Sequence, residues 1–62
     1  MDRFKVEIKL GNAEMQTPRD VSDALEVLAG RMHWSHEWDG GRPQTILDAN
    51  GNVVGQAWAE KD

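Results

Sequence analysis

Cysteine and tyrosine are both absent from this sequence of 62 residues, and proline occurs only twice. Without cysteine, the chain can form no disulfide bond and no thiolate metal site. The length allows one small domain, residues 1–62. A domain of this size buries roughly 60% of the surface that its unfolded chain exposes, so it is only marginally stable without a staple. Self-association or a partner protein is therefore more strongly expected than for a larger domain.

Positive charge is also scarce in this sequence. Lys and Arg number 7 against 11 Asp and Glu, which gives a formal net charge of −4. Direct nucleic-acid binding depends on neutralising phosphates with Lys and Arg, so this balance argues against it. The same sign disfavours docking on anionic membranes. No apolar run approaches the roughly 20 residues of a membrane span, and Met1 to Phe4 lacks the apolar stretch of a signal peptide. We therefore expect a cytoplasmic protein.

Alternation of apolar and polar residues defines the first element. Phe4 to Leu10 has an apolar side chain at every second position and a charged one between them. This pattern is typical of a half-buried strand with one solvated face. Gly11 and Asn12 end the strand with a turn, and residues 13–16 could add a short return strand.

A helix is predicted to begin at Thr17. Thr17 can cap it, Pro18 suits its first position, and Asp20 lies where a capping carboxylate belongs. Gly30 weakens the last turns by about 1 kcal/mol relative to alanine, which leaves the end of the helix open. Apolar residues recur at helical spacing, and the stripe consists of Val21, Ala24, Leu25, Leu28 and Met32, widened by Val27.

The C-terminal third is predicted to be a β-hairpin. Apolar segments 45–47 and 53–59 flank the sequence DANGN, and Asn-Gly between two apolar runs is a strong hairpin signal. Gly55 indicates a bulge or a close backbone approach. Together the elements predict an α+β domain of β-α-β-β order. We expect a three- to four-stranded, largely antiparallel sheet with one helix packed across one face.

The predicted core joins the helix to the first strand. One face of the sheet must cover the apolar stripe of the helix, because nothing else in so short a chain can bury it. The expected contacts join Val21, Leu25 and Leu28 to Phe4, Val6 and Ile8. On that assignment, Leu25→Ala would cost about 2–5 kcal/mol.

Residues 32–42 contain both histidines and two of the three tryptophans in an otherwise polar stretch. Two indoles four residues apart are hard to bury in such a segment, and tryptophan is enriched in the hot spots of protein interfaces. The alternative is that one indole closes the open end of the core. The resulting hypothesis is a partner-binding surface that consists of His33, Trp34, His36, Glu37, Trp38 and Asp39.

Catalytic and metal-dependent chemistry has less support. His33 and His36 could face one side of a helix and ligate zinc together with a nearby carboxylate, but surface histidines near a helix C-terminus explain them as well. Ser35 cannot use His36 as its base, because adjacent side chains diverge. The DANGN segment matches only the first positions of a calcium loop. We predict no enzyme activity, no cofactor and no bound metal.

An acidic face on the helix has two interpretations. A row of carboxylates could imitate DNA phosphates and occupy a basic groove, or it could simply be a solvated face. Arg19 and Arg31 interrupt the row. Its members are Asp20, Asp23 and Glu26, followed by Glu37 and Asp39.

Three segments recur together in a known group of proteins. They are FKVEIKLGNAEM at residues 4–15, DVSDAL at 20–25 and DANGNVVG at 48–55. This order of an alternating strand ending in Leu-Gly-Asn, a Met, an amphipathic helix and an Asp-x-Asn-Gly-Asn-x-x-Gly hairpin resembles very small proteins of actinobacteriophages and actinobacterial mobile elements. The resemblance covers most of the chain and is weakest across residues 32–43. It implies a phage or mobile-element origin and brings no catalytic residues with it.

The functional expectation is a small accessory protein, phage-encoded, that binds a host or phage protein in the host cytoplasm. The first alternative is an acidic mimic of nucleic acid that blocks a DNA-binding or defence protein. The second is a small metal-dependent regulator that uses His33 and His36. The identity of the partner and the existence of a homodimer are left open.

Overall fold

The computed structural model describes residues 2–38 and 41–61. The three strands form one antiparallel sheet in the order β1-β3-β2, and the helix lies against it, closest to β2. The predicted α+β class and β-α-β-β order are confirmed. The elements are β1 (Arg3–Ile8), α1 (Pro18–Met32), β2 (Gln44–Leu47) and β3 (Val53–Glu60).

The segment after β1 is a turn, so the short return strand expected at residues 13–16 is wrong. The N–H of Met15 donates to the Asn12 carbonyl (3.0 Å), and the N–H of Gly11 donates to the Met15 carbonyl (3.0 Å). These bonds close the backbone locally instead of pairing it with another strand. The turn inserts Met15 into the core, where its side chain is fully buried.

Helix α1 begins with the capping box that the sequence predicts. The N–H of Asp20 donates to the Thr17 hydroxyl (3.1 Å), and the Asp20 carboxylate accepts from the N–H of Thr17 (3.1 Å). Pro18 occupies the first helical turn, where its missing N–H costs no intrahelical bond. The helix continues through Gly30 to Met32. In the described part of the chain, no helix is long and apolar enough to cross a membrane.

The hairpin turn is organised around the Asp48 carboxylate. It accepts from the backbone N–H groups of Asn50 (2.9 Å) and Asn52 (2.8 Å) and from the Asn52 side-chain amide (3.3 Å). The Asn12 side-chain amide also donates to it (3.0 Å), which ties the turn after β1 to the hairpin. Gly51 has a φ of +83°, a left-handed conformation that glycine adopts without strain. The hairpin predicted from Asn-Gly is confirmed.

The same carboxylate makes the fold sensitive to acid. Burial opposes ionisation of Asp48, but the hydrogen bonds from Asn52, Asn50 and Asn12 outweigh burial and lower its pKa. A group whose pKa is lower in the folded state contributes stability above its unfolded pKa. For Asp48 this contribution is complete above the ordinary pKa of 3.8 and is lost as the pH falls through the lower folded-state value.

We therefore expect the melting temperature to fall steadily as the pH is lowered from about 5 to about 2. Asp48→Asn should lower the melting temperature at neutral pH and flatten the acid dependence, because the ionised acceptor is removed. Some dependence should remain, since a backbone hydrogen bond from Gln16 lowers the pKa of Asp20. Circular dichroism melts at a series of pH values measure both effects.

The control for this experiment is Asp23→Asn, which removes a carboxylate from an exposed ion pair with Arg19 (3.2 Å). Exposed pairs of this kind contribute little to stability, so this variant should keep the steep acid dependence of the parent protein. Wild-type acid sensitivity in the Asp48→Asn protein would contradict the role given to the Asp48 carboxylate.

The core lies between α1 and the sheet on the side of β2. At its margin pack Ile8, Val21 and Met32. Its buried side chains come from the turn, the helix and two strands, and they are Met15, Ala24, Leu28, Ile46, Val54 and Ala57.

The expected packing of the helix on β1 is wrong for its central members. Phe4 and Val6 remain 41% and 43% exposed, and Leu25 remains 37% exposed. The reason is the strand order: β3 occupies the centre of the sheet, and α1 lies over β2 at the far edge from β1. Of the expected members, Leu28 is buried, whereas Ile8 and Val21 reach only the margin of the core.

Gly55 marks a close approach between the two longer strands. A Cβ atom built on Gly55 would lie 1.9 Å from the Glu7 carbonyl oxygen and 2.9 Å from the Ile8 Cα. A register shift between Ile46 and Leu47 interrupts the β2–β3 ladder beside this position. The prediction of a bulge or a close backbone approach at Gly55 is confirmed.

Candidate protein-binding surface

The face of the sheet that carries α1 is only partly covered by it. Phe4 and Val6 point to this face, directly opposite Ala59 and Ala57 of β3. Because alanine is small, the side chains of Phe4 and Val6 have no bulky neighbour on β3. The result is an apolar area at the β1 side of the sheet that the helix does not reach.

Trp38 folds back onto this area. Its ring stacks on Phe4 with a centroid distance of 5.6 Å and an interplanar angle of 27°. Aromatic pairs in such geometry contribute about 0.5–1.5 kcal/mol beyond their buried area. Trp38 nevertheless stays 52% exposed. We call Phe4, Val6 and Trp38 together the open surface.

A cleft of about 400 Å³ lies beside the Phe4–Trp38 pair. Exposed polar side chains also line it, among them His36, Glu37 and Arg42. The cleft can therefore bind one apolar side chain of a partner, while polar groups around that side chain contact the polar residues of the lining. The large or apolar residues that line it are Phe4, Met32, Trp38, Pro43, Ala57, Trp58 and Ala59.

Trp34 is the most exposed large apolar side chain in the described part of the chain, at 80%. Its ring meets the edge of the His33 ring at 4.8 Å and 88°. The N–H of Ser35 donates to the Met32 carbonyl (3.0 Å), so the chain turns as it leaves the helix. The prediction that Trp34 or Trp38 is substantially exposed is confirmed for both.

The six predicted partner-binding residues therefore divide into groups. His36, Glu37 and Trp38 line the cleft, whereas His33 and Trp34 do not. Asp39 lies outside the described residues. Sequence reasoning missed the contribution of β1 and β3, although Ala57 and Ala59 at alternate positions were a signal that one face of β3 carries no bulky side chain.

The two histidines of the metal-site alternative lie after the last helical residue. Helix α1 ends at Met32, so His33 and His36 do not share a helical face. Among residues 2–38 and 41–61, no group of three or more His, Asp and Glu side chains is placed to hold a metal ion.

The acidic face of α1 is partly occupied by its own chain. The Asp20 carboxylate accepts from the backbone N–H groups of Gln16 (2.9 Å) and Thr17 (3.1 Å). Asp23 pairs with Arg19 at 3.2 Å. Two of the three carboxylates proposed to imitate phosphates on the helix are thus engaged in stabilising it.

The third tryptophan, Trp58, lies on β3 between Ala57 and Ala59 and lines the cleft with them. Trp58 pairs with Lys5 across the β1–β3 ladder, and its indole N–H donates to Glu60 (3.0 Å). Glu60 also binds the Lys5 ammonium (2.6 Å). The Lys5 contact, followed by the Trp58 hydrogen bond, lowers the pKa of the Glu60 carboxyl. Trp58 thus packs on the sheet beside Lys5 and Glu60.

No protein-family model, no curated protein and no solved structure matches this chain.

Proposed function

We propose that this chain is a small accessory protein that acts by binding another protein through the open surface and through the exposed Trp34. The observation that carries the proposal is the exposed Phe4–Trp38 stack beside a cleft of about 400 Å³. Exposed apolar area of this kind marks interaction sites more often than it marks simple connectors. Tryptophan anchors in such areas dominate the free energy of many protein interfaces.

A protein partner fits this surface better than a small molecule. The cleft has the volume of an ordinary ligand site. The apolar area continues beyond it, however, to Val6 on β1, and Trp34 lies exposed outside it. A partner that uses all of these groups must be broad, and a protein segment with one apolar anchor in the cleft meets that requirement.

The origin in a phage or a mobile element is part of the same proposal and is supported by the sequence resemblance. The partner is then a host or phage protein, and the site of action is the host cytoplasm. The acidic-mimic alternative has less support, because Asp20 and Asp23 are engaged within the helix.

The binding proposal is tested by changing Trp34 and Trp38 singly to alanine. Proteins captured from a host lysate by the wild type and by each variant are compared by quantitative mass spectrometry. We expect Trp38→Ala to reduce the binding free energy of a captured partner by at least about 2 kcal/mol, which is roughly thirtyfold in affinity. Stability should change little in Trp34→Ala, because that side chain is 80% exposed.

The matched control is Val27→Ala, which removes an exposed apolar side chain from α1. Capture by this variant should equal capture by the wild type. Equal loss of the partner in all three variants, or retention in all three, would contradict binding at the proposed surface. If moderate salt released the partner and the tryptophan substitutions did not affect capture, the acidic mimic would be favoured, since salt screens interactions between exposed charges.

A further inference from the structure

The two edges of the sheet differ in how they are covered. The order β1-β3-β2 leaves β1 and β2 at the edges. On β2, the Arg31 guanidinium donates to the Thr45 carbonyl, so a side chain of the helix occupies that edge. β1 lies at the opposite edge, away from α1. It pairs with β3 over six residues in unbroken register and contains no proline.

The backbone groups that β1 presents to its free edge follow from the ladder. The N–H of Lys9 donates to the Val54 carbonyl (2.7 Å), and the β1–β3 register continued by one residue places them opposite each other. The Glu7 carbonyl likewise faces β3 at Gly55. Bonded and non-bonded pairs alternate in antiparallel ladders. The N–H and C=O groups that point to the free edge therefore belong to Phe4, Val6 and Ile8.

We propose that β1 pairs antiparallel with β1 of a second copy of this chain, about a two-fold axis at Val6. The pairing joins two three-stranded sheets into one of six strands. In this register the outward groups of Val6 bond to those of Val6 in the second copy. Phe4 faces Ile8 of the second copy. Each residue whose backbone N–H and C=O point to the edge therefore pairs with another such residue.

Charge complementarity favours this register over the two adjacent ones, with the axis at Lys5 or at Glu7. With the axis at Val6, Lys5 lies opposite Glu7 of the second copy, and Glu7 lies opposite its Lys5. An axis at Lys5 would oppose two lysines, and an axis at Glu7 would oppose two glutamates. Opposite charges directly across an antiparallel pair stabilise it, and like charges destabilise it. The two-fold axis at Val6 thus places each charge of the Lys5 and Glu7 pair opposite the other charge in the second copy.

The ends of the paired strands bring Arg3 opposite Lys9 of the second copy. These positions lie at the rim, where solvent screens repulsion. The Glu60 carboxylate also attracts Arg3 within its own chain, which offsets the positive charge there.

The pairing also brings the two apolar areas together. Phe4 and Val6 of each copy gain Ile8 and Val6 of the other as neighbours on the same face. The cleft beside Trp38 lies on the face of the sheet rather than along its edge, so the pairing leaves it open. The dimer thus shares Phe4 and Val6 with the open surface but leaves the cleft and the two exposed tryptophans free of contact. The two proposals are tested separately, because the tryptophan variants report on partner capture and the charge variants below report on the dimer.

Charge-reversal variants test the pairing and its register. Glu7→Lys opposes two lysines in each pair, and Lys5→Glu opposes two glutamates. Because Lys5→Glu also removes the contact of Lys5 with Glu60 (2.6 Å) within its own chain, the melting temperature of both variants is measured in parallel. We expect sedimentation equilibrium to show a dimer for the wild type and a dissociation constant at least about tenfold higher for either variant. An equimolar mixture of the two variants restores both opposite-charge pairs and should dimerise as the wild type does.

The control is Glu26→Lys, which makes the same change of charge on the exposed face of α1 and should leave the dimer intact. Amide hydrogen exchange provides a second measurement without substitution: the N–H of Val6 should become protected as the protein concentration rises. A wild type that stays monomeric at millimolar concentration overturns the proposal. A mixture that fails to dimerise overturns the register. A dimer that is lost in Trp34→Ala but kept in Glu7→Lys places the dimer contact away from β1 and overturns the pairing.

Discussion

Leu28→Ala is expected to lower the free energy of unfolding by about 2–5 kcal/mol. Leu28 is 3% exposed and packs in the centre of the core, between the turn after β1 and the β2 side of the sheet. Truncation removes its apolar contacts and leaves a cavity that a short, regular helix cannot close. In a domain of this length, about 1 kcal/mol corresponds to a shift of roughly 4–8 °C in melting temperature. Thermal and urea unfolding measure the loss.

Leu25→Ala is the matched control, because it makes the same truncation one turn earlier on the same helix. Leu25 is 37% exposed. Its loss should cost less than about 1.5 kcal/mol, since much of its surface already contacts water. If Leu25→Ala proved more damaging than Leu28→Ala, the placement of α1 over β2 would be wrong and the helix would lie on β1.

Gly55→Ala is expected to cost at least about 1–3 kcal/mol, the range for overpacking a well-packed site. The added methyl group would lie 1.9 Å from the Glu7 carbonyl oxygen, which is backbone and cannot rotate away. β1 must then separate from β3 around Glu7 and Ile8. We expect a lower melting temperature and faster amide exchange in β1.

The control for this substitution is Gly30→Ala in the helix. A Cβ atom there would meet nothing within 4 Å. Alanine should stabilise that position by about 0.5–1 kcal/mol, because it loses less backbone entropy than glycine. A Gly55→Ala protein as stable as the parent would show that β1 and β3 are not as close as described.

Local features were predictable from the sequence because short-range chemistry determines them. Thr17, Pro18 and Asp20 specify a helix start through hydrogen bonds that span only a few residues. Asn50 and Gly51 specify the hairpin through the conformation of the turn. The α+β class followed from these elements, since a helix stripe and a sheet face must cover each other.

The strand order was not predictable in the same way. Periodicity indicates which side chains share a face, but it does not indicate which strand is central. Phe4 and Val6 have the pattern of core residues, yet they lie on an edge strand beyond the reach of α1. Met15, in contrast, has no periodic partner and still forms part of the core, because a local turn carries it there.

The exposed tryptophans were predictable, and their surroundings were not. A polar segment with two indoles indicated exposure, which is observed for Trp34 and Trp38. The stacking of Trp38 on Phe4 joins residues that are far apart in the chain. No short-range signal predicts such a contact, so the cleft beside the stacked pair could be found only in the folded chain.

The motif residues of the sequence resemblance have structural roles in this fold. Asn12 and Asn52 both donate to Asp48, Met15 fills the core, and Gly55 allows β1 to approach β3. These positions of the motif are therefore explained by the fold of this chain. The residues proposed for binding lie mainly in the segment after the helix, where the resemblance is weakest.

The most direct test of binding through the open surface is photo-crosslinking from inside it. Trp38→p-benzoylphenylalanine places a reactive group beside Phe4. Val27→p-benzoylphenylalanine places one at an exposed position of α1 outside the open surface, near Met15 and Leu47, as a control. After irradiation in host lysate, adducts are identified by mass spectrometry. The account predicts a covalent adduct with one defined protein from position 38 and none with that protein from position 27. The same adduct from both positions, or an adduct from position 38 with this chain alone, would contradict it.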